Sequence, residues 1–169
     1  MAKNFKRILC PVDFSGHSKE ALEHAASFAR ASLGKLFLFH AIDDPLSAFY
    51  LAETAPVLPN LCERERVTRI DFFNAAIQRG TEMLQNFAVD AARGCNCQYI
   101  VECNDPYKRI MEIVHEERID LVVMGTHGRT GIKHLAMGSV TEKVVRSALC
   151  PVLTVHAPPQ EEQEERLAG

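Results

Sequence analysis

Between Leu121 and Thr141 the chain carries Gly125, Gly128, Gly131 and Gly138, the histidines His127 and His134, Arg129 and Lys133, and no acidic residue. Glycines allow a backbone to approach a ligand closely and bare its N–H groups, and cationic donors beside them select an anion. A helix opening at Gly138 and Ser139 would add its unpaired first N–H groups and the positive end of its dipole. The chemistry indicated is a phosphate cradle, with a plain strand-to-helix turn as the alternative that the glycines alone leave open. Two familiar cradles are excluded. A Walker A loop needs serine or threonine after its lysine, whereas Lys133 precedes His134, and the dinucleotide fingerprint G-x-G-x-x-G is replaced by G-x-x-G-x-x-G.

The elements that must hold this loop alternate. Continuous apolar runs at Lys6–Val12, Lys35–Ile42, Cys97–Glu102, Asp120–Gly125 and Cys150–His156 read as strands covered on both faces. Helical periods occupy His17–Gly34, Arg69–Gly94, Asp105–Ile119 and Ser139–Ser147. Ser18 is the expected N-cap and Gly34 the stop of the first helix, Gly80 a weak point in the second, and Pro106 the first turn of the third. Strands alternating with helices predict an α/β fold, a Rossmann-like doubly wound five-stranded parallel sheet with four helices on both faces. Its ligand crevice would lie outside the carboxyl ends of the strands. Residues 1–157 form the expected domain, with a variable loop at 43–67, and 158–169 an acidic tail expected to be disordered.

Composition narrows the class. With 19 basic and 22 acidic side chains the net charge is -3, which argues against a protein that wraps nucleic acid by neutralising phosphates. The N-terminal apolar run Ile8–Val12 is too short for a signal core or a membrane span, so no membrane role and a cytoplasmic location are expected. The six cysteines then read as reduced thiols. Cys95, Cys97 and nearby Cys103 lack the paired spacings of zinc sites, and no residue is assigned to a metal.

The spacing Gly125, two residues, Gly128, nine residues, Gly138–Ser139 resembles the signature of the ATP-binding branch of the universal stress protein family. The blocks "CPVDFSGHSKEAL", "LFHAID", "DLVVMGTHGRTG" and "GSVTEKVVRSALCPVLTVH" are similar to that family in the same order. The resemblance implies strand order 3-2-1-4-5, a homodimer through the last strand (151–156), and bound ATP, with Mg2+ on its phosphates. It further implies that Pro11, Val12 and Asp13 meet the adenosine and that Ala41 presents its backbone to the adenine. Met124 and Gly125 would lie near base and ribose, and His127, Gly128, Gly138, Ser139 and Val140 would contact ribose and phosphates. Two departures bear on the adenine pocket: Ala41 stands where many relatives carry a bulkier aliphatic residue, and Cys103 where relatives often have glycine.

Single residues admit plainer roles. Asp13 fits an adenosine contact or a cap of the turn into the first helix; Ser139 fits a phosphate donor, an N-cap, or both. His40, on an apolar strand, is expected as a hydrogen-bonded core histidine. Three functions follow: a nucleotide-dependent regulatory stress-response protein with slow or no hydrolysis, an ATPase or phosphotransferase, or a nucleotide-free dimeric scaffold. With no Walker B-like acids and no general base placed by spacing, no catalytic residue is assigned, and weak ATPase activity is the most expected.

Overall fold

The computed structural model describes residues 4–42, 69–128 and 137–157. The expected loop at 43–67, the tail 158–169, and Arg129, Gly131, Lys133 and His134 lie outside the described residues. The elements in chain order are β1 (Arg7–Pro11), α1 (Gly16–Ser32), β2 (Lys35–Ala41), α2 (Arg69–Ala88), β3 (Asn96–Glu102), α3 (Pro106–Glu116), β4 (Leu121–Gly125), α4 (Ser139–Ser147) and β5 (Val152–Val155). The five strands are all parallel in the order β3-β2-β1-β4-β5. No described helix is long and apolar enough to cross a membrane.

Each central strand is apolar throughout because the pleat sends alternate residues into two cores. Ile8 and Cys10 of β1, Leu36 and Leu38 of β2, and Leu121 and Val123 of β4 pack with Ala21, Leu22 and Ala25 of α1 and Leu84 and Ala88 of α2. Leu9, Phe37, Phe39, Val122 and Met124 face the other way, onto Ile110 and Ile113 of α3 and Val144 of α4. The small alanines of α1 bring that helix close to the sheet. Burial also pushes the Cys10 thiol far above the ordinary range, so it remains protonated and inert. Cys10, Cys95 and Cys97 form no disulfide among the described residues.

Several helix ends differ from expectation. The N-cap of α1 is Ser15, whose side chain accepts from the Ser18 N–H at 3.2 Å, and Ser18 is buried inside the first turn. At the other end Leu33, at φ 51°, takes the left-handed cap, and Gly34 is required by space: a Cβ there would lie 2.8 Å from the Lys6 carbonyl oxygen. α2 stops at Ala88 instead of Gly94, because residues beyond it close short turns (Arg93 N–H to Asp90 O, Cys95 N–H to Ala92 O) that end on Gly94 at φ 78°. Gly80 does not break α2. A Cβ at this position would come within 2.9 Å of Val101, so the glycine lets α2 approach β3.

Candidate functional site

A cleft of about 280 Å³ opens at the carboxyl ends of β1, β2 and β4. That volume sits just under the usual range of small-molecule pockets, ~300–1,000 Å³. The sheet order makes this position inevitable. β2 and β4 flank β1 while their helices cover opposite faces, so the chain leaves the sheet in two directions at β1 and a crevice forms between.

The first wall comes from the end of β1. Pro11, Val12 and Asp13 all line the cleft. Val12 donates its N–H to the Phe39 carbonyl at 2.7 Å, and its own carbonyl accepts from Nδ1 of His40 at 2.7 Å. Since a carbonyl only accepts, His40 carries its proton on Nδ1. His40 is thus a buried, hydrogen-bonded histidine, as the sequence leads one to expect, and it also borders the cleft.

This bond has a consequence for Ala41. In a regular parallel ladder the next rung would run from the Ala41 N–H to the Val12 carbonyl, whereas the His40 ring takes that carbonyl and the β1–β2 pairing ends at Pro11↔Phe39. The same alternation sends Ile42 N–H to the Glu102 carbonyl on the β3 side. The N–H and C=O of Ala41 therefore face the cleft, and no described residue is recorded taking them.

Asp13 takes the first of its two expected places, the turn into α1, and stands where the second would require it. Its Oδ1 accepts from the Ser15 N–H at 3.0 Å and from the Ser15 hydroxyl at 2.6 Å, an Asx-type turn that launches α1, and the residue also lines the cleft.

The opposite wall is the glycine-bearing connection after β4, with Met124, Gly125, His127 and Gly128 at its start and Gly138, Ser139 and Val140 at its end. Its two ends are pinned: Gly138 N–H donates to the Thr126 carbonyl at 2.7 Å, and the Thr141 hydroxyl to the Gly125 carbonyl at 2.8 Å. All eleven residues expected at a ligand thus converge on one cleft. Ser18, Phe39, Pro106, Ile110 and Thr141, with His40, complete its lining; Pro106 and Ile110 carry no signal in the sequence, because α3 reaches the cleft only through packing.

Among the described residues Gly94 is the positive-φ glycine, so Gly125, Gly128 and Gly138 do not serve unusual backbone angles. They serve space. A Cβ at Gly125 would lie 2.8 Å from the His17 Cβ, and one at Gly128 only 2.5 Å from Oδ2 of Asp13. Gly138, not Ser139, is the N-cap of α4, with no side chain capping that terminus; Ser139 is the exposed first residue of the helix.

At the rim the rings of His17, His127 and His156 gather, with centroids 5.0–5.8 Å apart. Burial, then the neighbouring His156 and His127, lower the pKa of His17, with Asp13 opposing them. On the far side Arg109 of α3 grips Glu102 of β3 through Nε at 2.7 Å and a second nitrogen at 3.0 Å, and reaches Glu116 at 2.9 Å, which holds α3 against the sheet edge.

Residues 4–156 match the model of the universal stress protein family. The chain belongs to the universal stress protein family. It is 28% identical over 160 residues to the universal stress protein MJ0577 of Methanocaldococcus jannaschii, covering 92% of this chain and 97% of that one. The solved structure of MJ0577 superposes with a TM-score of 0.67 at 26% identity, covering 94% and 100% of the two chains. The same fold occurs in a universal stress protein in complex with cAMP (TM-score 0.60, 21% identity, 92% and 100% covered). It recurs in the Archaeoglobus fulgidus universal stress protein in complex with dAMP (TM-score 0.56, 17% identity, 90% and 99% covered). Those two proteins hold adenine nucleotides.

Proposed function

We propose that this family member is an adenine-nucleotide-binding regulatory protein, that its cleft holds ATP with Mg2+ on the phosphates, and that occupancy alters what the protein binds. The observation that carries this reading is the outward-facing N–H and C=O of Ala41 at the cleft. A donor and an acceptor on one residue match the adjacent acceptor and donor of an adenine edge, between the apolar Phe39, Ile110 and Met124. The first N–H groups of α4 and the backbone around Gly128 supply the phosphate end, where a helix dipole favours anions. The two family members that hold cAMP and dAMP support an adenine ligand.

Regulation fits the lining better than turnover does. Asp13 is the acidic residue among those lining the cleft, and its Oδ1 is engaged by Ser15, which leaves hydrolysis slow at most. The test is direct. The chain is purified without added nucleotide, denatured with acid, and the released small molecules are identified by mass. ATP or ADP near one per chain is the expected result; no nucleotide, followed by no heat of binding on titration with ATP and Mg2+, would defeat the reading.

The reading includes a homodimer through β5, an edge strand by topology. The carbonyls of Pro151 and Val155 are taken by β4, so by alternation Val152 and Thr154 turn their N–H and C=O outward, where a second β5 can pair with them. Thr154→Pro removes an outward donor without touching the β4 ladder. Sedimentation is expected to show the wild-type chain as a dimer and this variant as a folded monomer; a monomeric wild type would remove the dimer from the reading.

A further inference from the structure

The three histidines at the rim come from three separate places: His17 in the first turn of α1, His127 just beyond β4, and His156 just beyond β5. One ring nitrogen from each lies within 4.8 Å of the others. Two backbone features produce the convergence. Gly125 has no Cβ to hold off His17, which would otherwise meet it at 2.8 Å, and the Thr126 N–H bonds to the Val155 carbonyl at 2.8 Å, tying the ends of β4 and β5 together.

Thr126 also orients the rings. Its hydroxyl oxygen is 3.1 Å from Nδ1 of His127 and 3.0 Å from Nδ1 of His156. An oxygen has two lone pairs, so it can accept from both Nδ1–H groups at once, a tautomer that leaves each Nε2 lone pair available to a metal. A second-shell acceptor on the far nitrogen is the usual way a protein fixes the tautomer and aim of a metal-ligating histidine. Asp13, close enough to His17 to act on it electrostatically, adds a negative charge beside the cluster.

We propose that His17, His127 and His156 form a binding site for a late first-row divalent cation, Zn2+ above all, with Thr126 as the positioning residue. Three neutral imidazoles plus one open position filled by water is a donor set that Zn2+ takes readily, and imidazole also suits Cu2+, Ni2+ and Co2+ in preference to Mg2+. Tetrahedral ligands at ~2.0–2.1 Å from Zn2+ stand ~3.4 Å apart, so nitrogens now within 4.8 Å of one another need to close by up to ~1.4 Å, which side-chain rotation on partly exposed residues supplies. The site is distinct in chemistry from a Mg2+ carried in on phosphates, since Mg2+ demands oxygen ligands. Bound there, the ion ties the start of α1 to the ends of β4 and β5 at the lip of the cleft. The site stands whether or not the cleft takes a nucleotide.

The experiment uses the full chain, stripped of nucleotide and held reduced with a phosphine, titrated with Co2+ and followed by visible absorption. The expected result is one Co2+ per chain with the strong d–d bands of four-coordinate nitrogen and oxygen ligation, no thiolate charge-transfer band, and bleaching on addition of Zn2+. His156→Ala, at an exposed position that the fold does not need, is expected to weaken Co2+ binding more than 100-fold, beyond the ~10–100-fold expected for loss of the outer-shell acceptor in Thr126→Val. A thiolate band, a weak six-coordinate spectrum, absence of binding, or an unchanged affinity in His156→Ala would each overturn the site.

Discussion

Gly138→Val is expected to lower affinity for ATP at least about 100-fold while leaving the far-ultraviolet circular dichroism and the unfolding midpoint close to those of the wild-type chain. A Cβ at Gly138 would lie 3.3 Å from the Thr126 carbonyl oxygen and 3.6 Å from the His127 Cα, a tight but tolerable fit. The backbone already has the extended angles of an N-cap there, φ -65° and ψ 147°, so a side chain brings no torsional strain. Valine's two further carbons have no room against the Thr126–Gly128 backbone and must project toward the cleft. They would displace a phosphate from the α4 N-terminus, and losing even two charge-assisted hydrogen bonds at roughly 1.5 kcal/mol each accounts for about 100-fold. Titration calorimetry with ATP and Mg2+ measures it. Unchanged affinity in a folded variant would mean that no phosphate lies against Gly138.

Phe37→Ala is expected to produce the largest loss of stability, about 3–5 kcal/mol. Phe37 is fully buried in the middle of β2 and anchors the core between the sheet and α3 and α4, with the Arg7 guanidinium 5.0 Å and the Lys35 ammonium 4.8 Å from its ring centre. Removing the ring leaves a cavity that central strands cannot collapse into, and strips two cations of their aromatic partner. The melting temperature should fall by roughly 10 °C or more, and urea unfolding should show a lower midpoint at an unchanged slope. A cost below about 1 kcal/mol would show that the α3–α4 face is not packed on Phe37.

Much of the scaffold was legible because its strands are buried on both faces. Runs such as "KLFLFHA" cannot belong to a half-wet sheet, and the α1 alanines show at once which side faces it. Element ends were less legible. Ser18 looks like a cap for α1, yet the Asp13–Ser15 turn starts the helix earlier, and Gly94 looks like a stop for α2, yet the short turns after Ala88 end it first. These outcomes depend on competition among neighbouring hydrogen bonds, which a periodicity does not contain. The strand order came from the family likeness and not from the residue pattern, which is the same for any order of β3, β2, β1, β4 and β5.

The amino-acid sequence by itself determined the α/β alternation, because residue type and local spacing carry that information, whereas the expectation that eleven residues share one site came from the family likeness. Only the tertiary structure decided why the glycines are there. Gly125 and Gly128 make room for His17 and Asp13, residues more than a hundred positions earlier. It alone showed that His40 takes the Val12 carbonyl that would be the next partner of the Ala41 N–H, and that His17, His127 and His156 meet. Each of these is a contact between segments far apart in the chain, set by the parallel stacking of strand ends, and no local pattern records it.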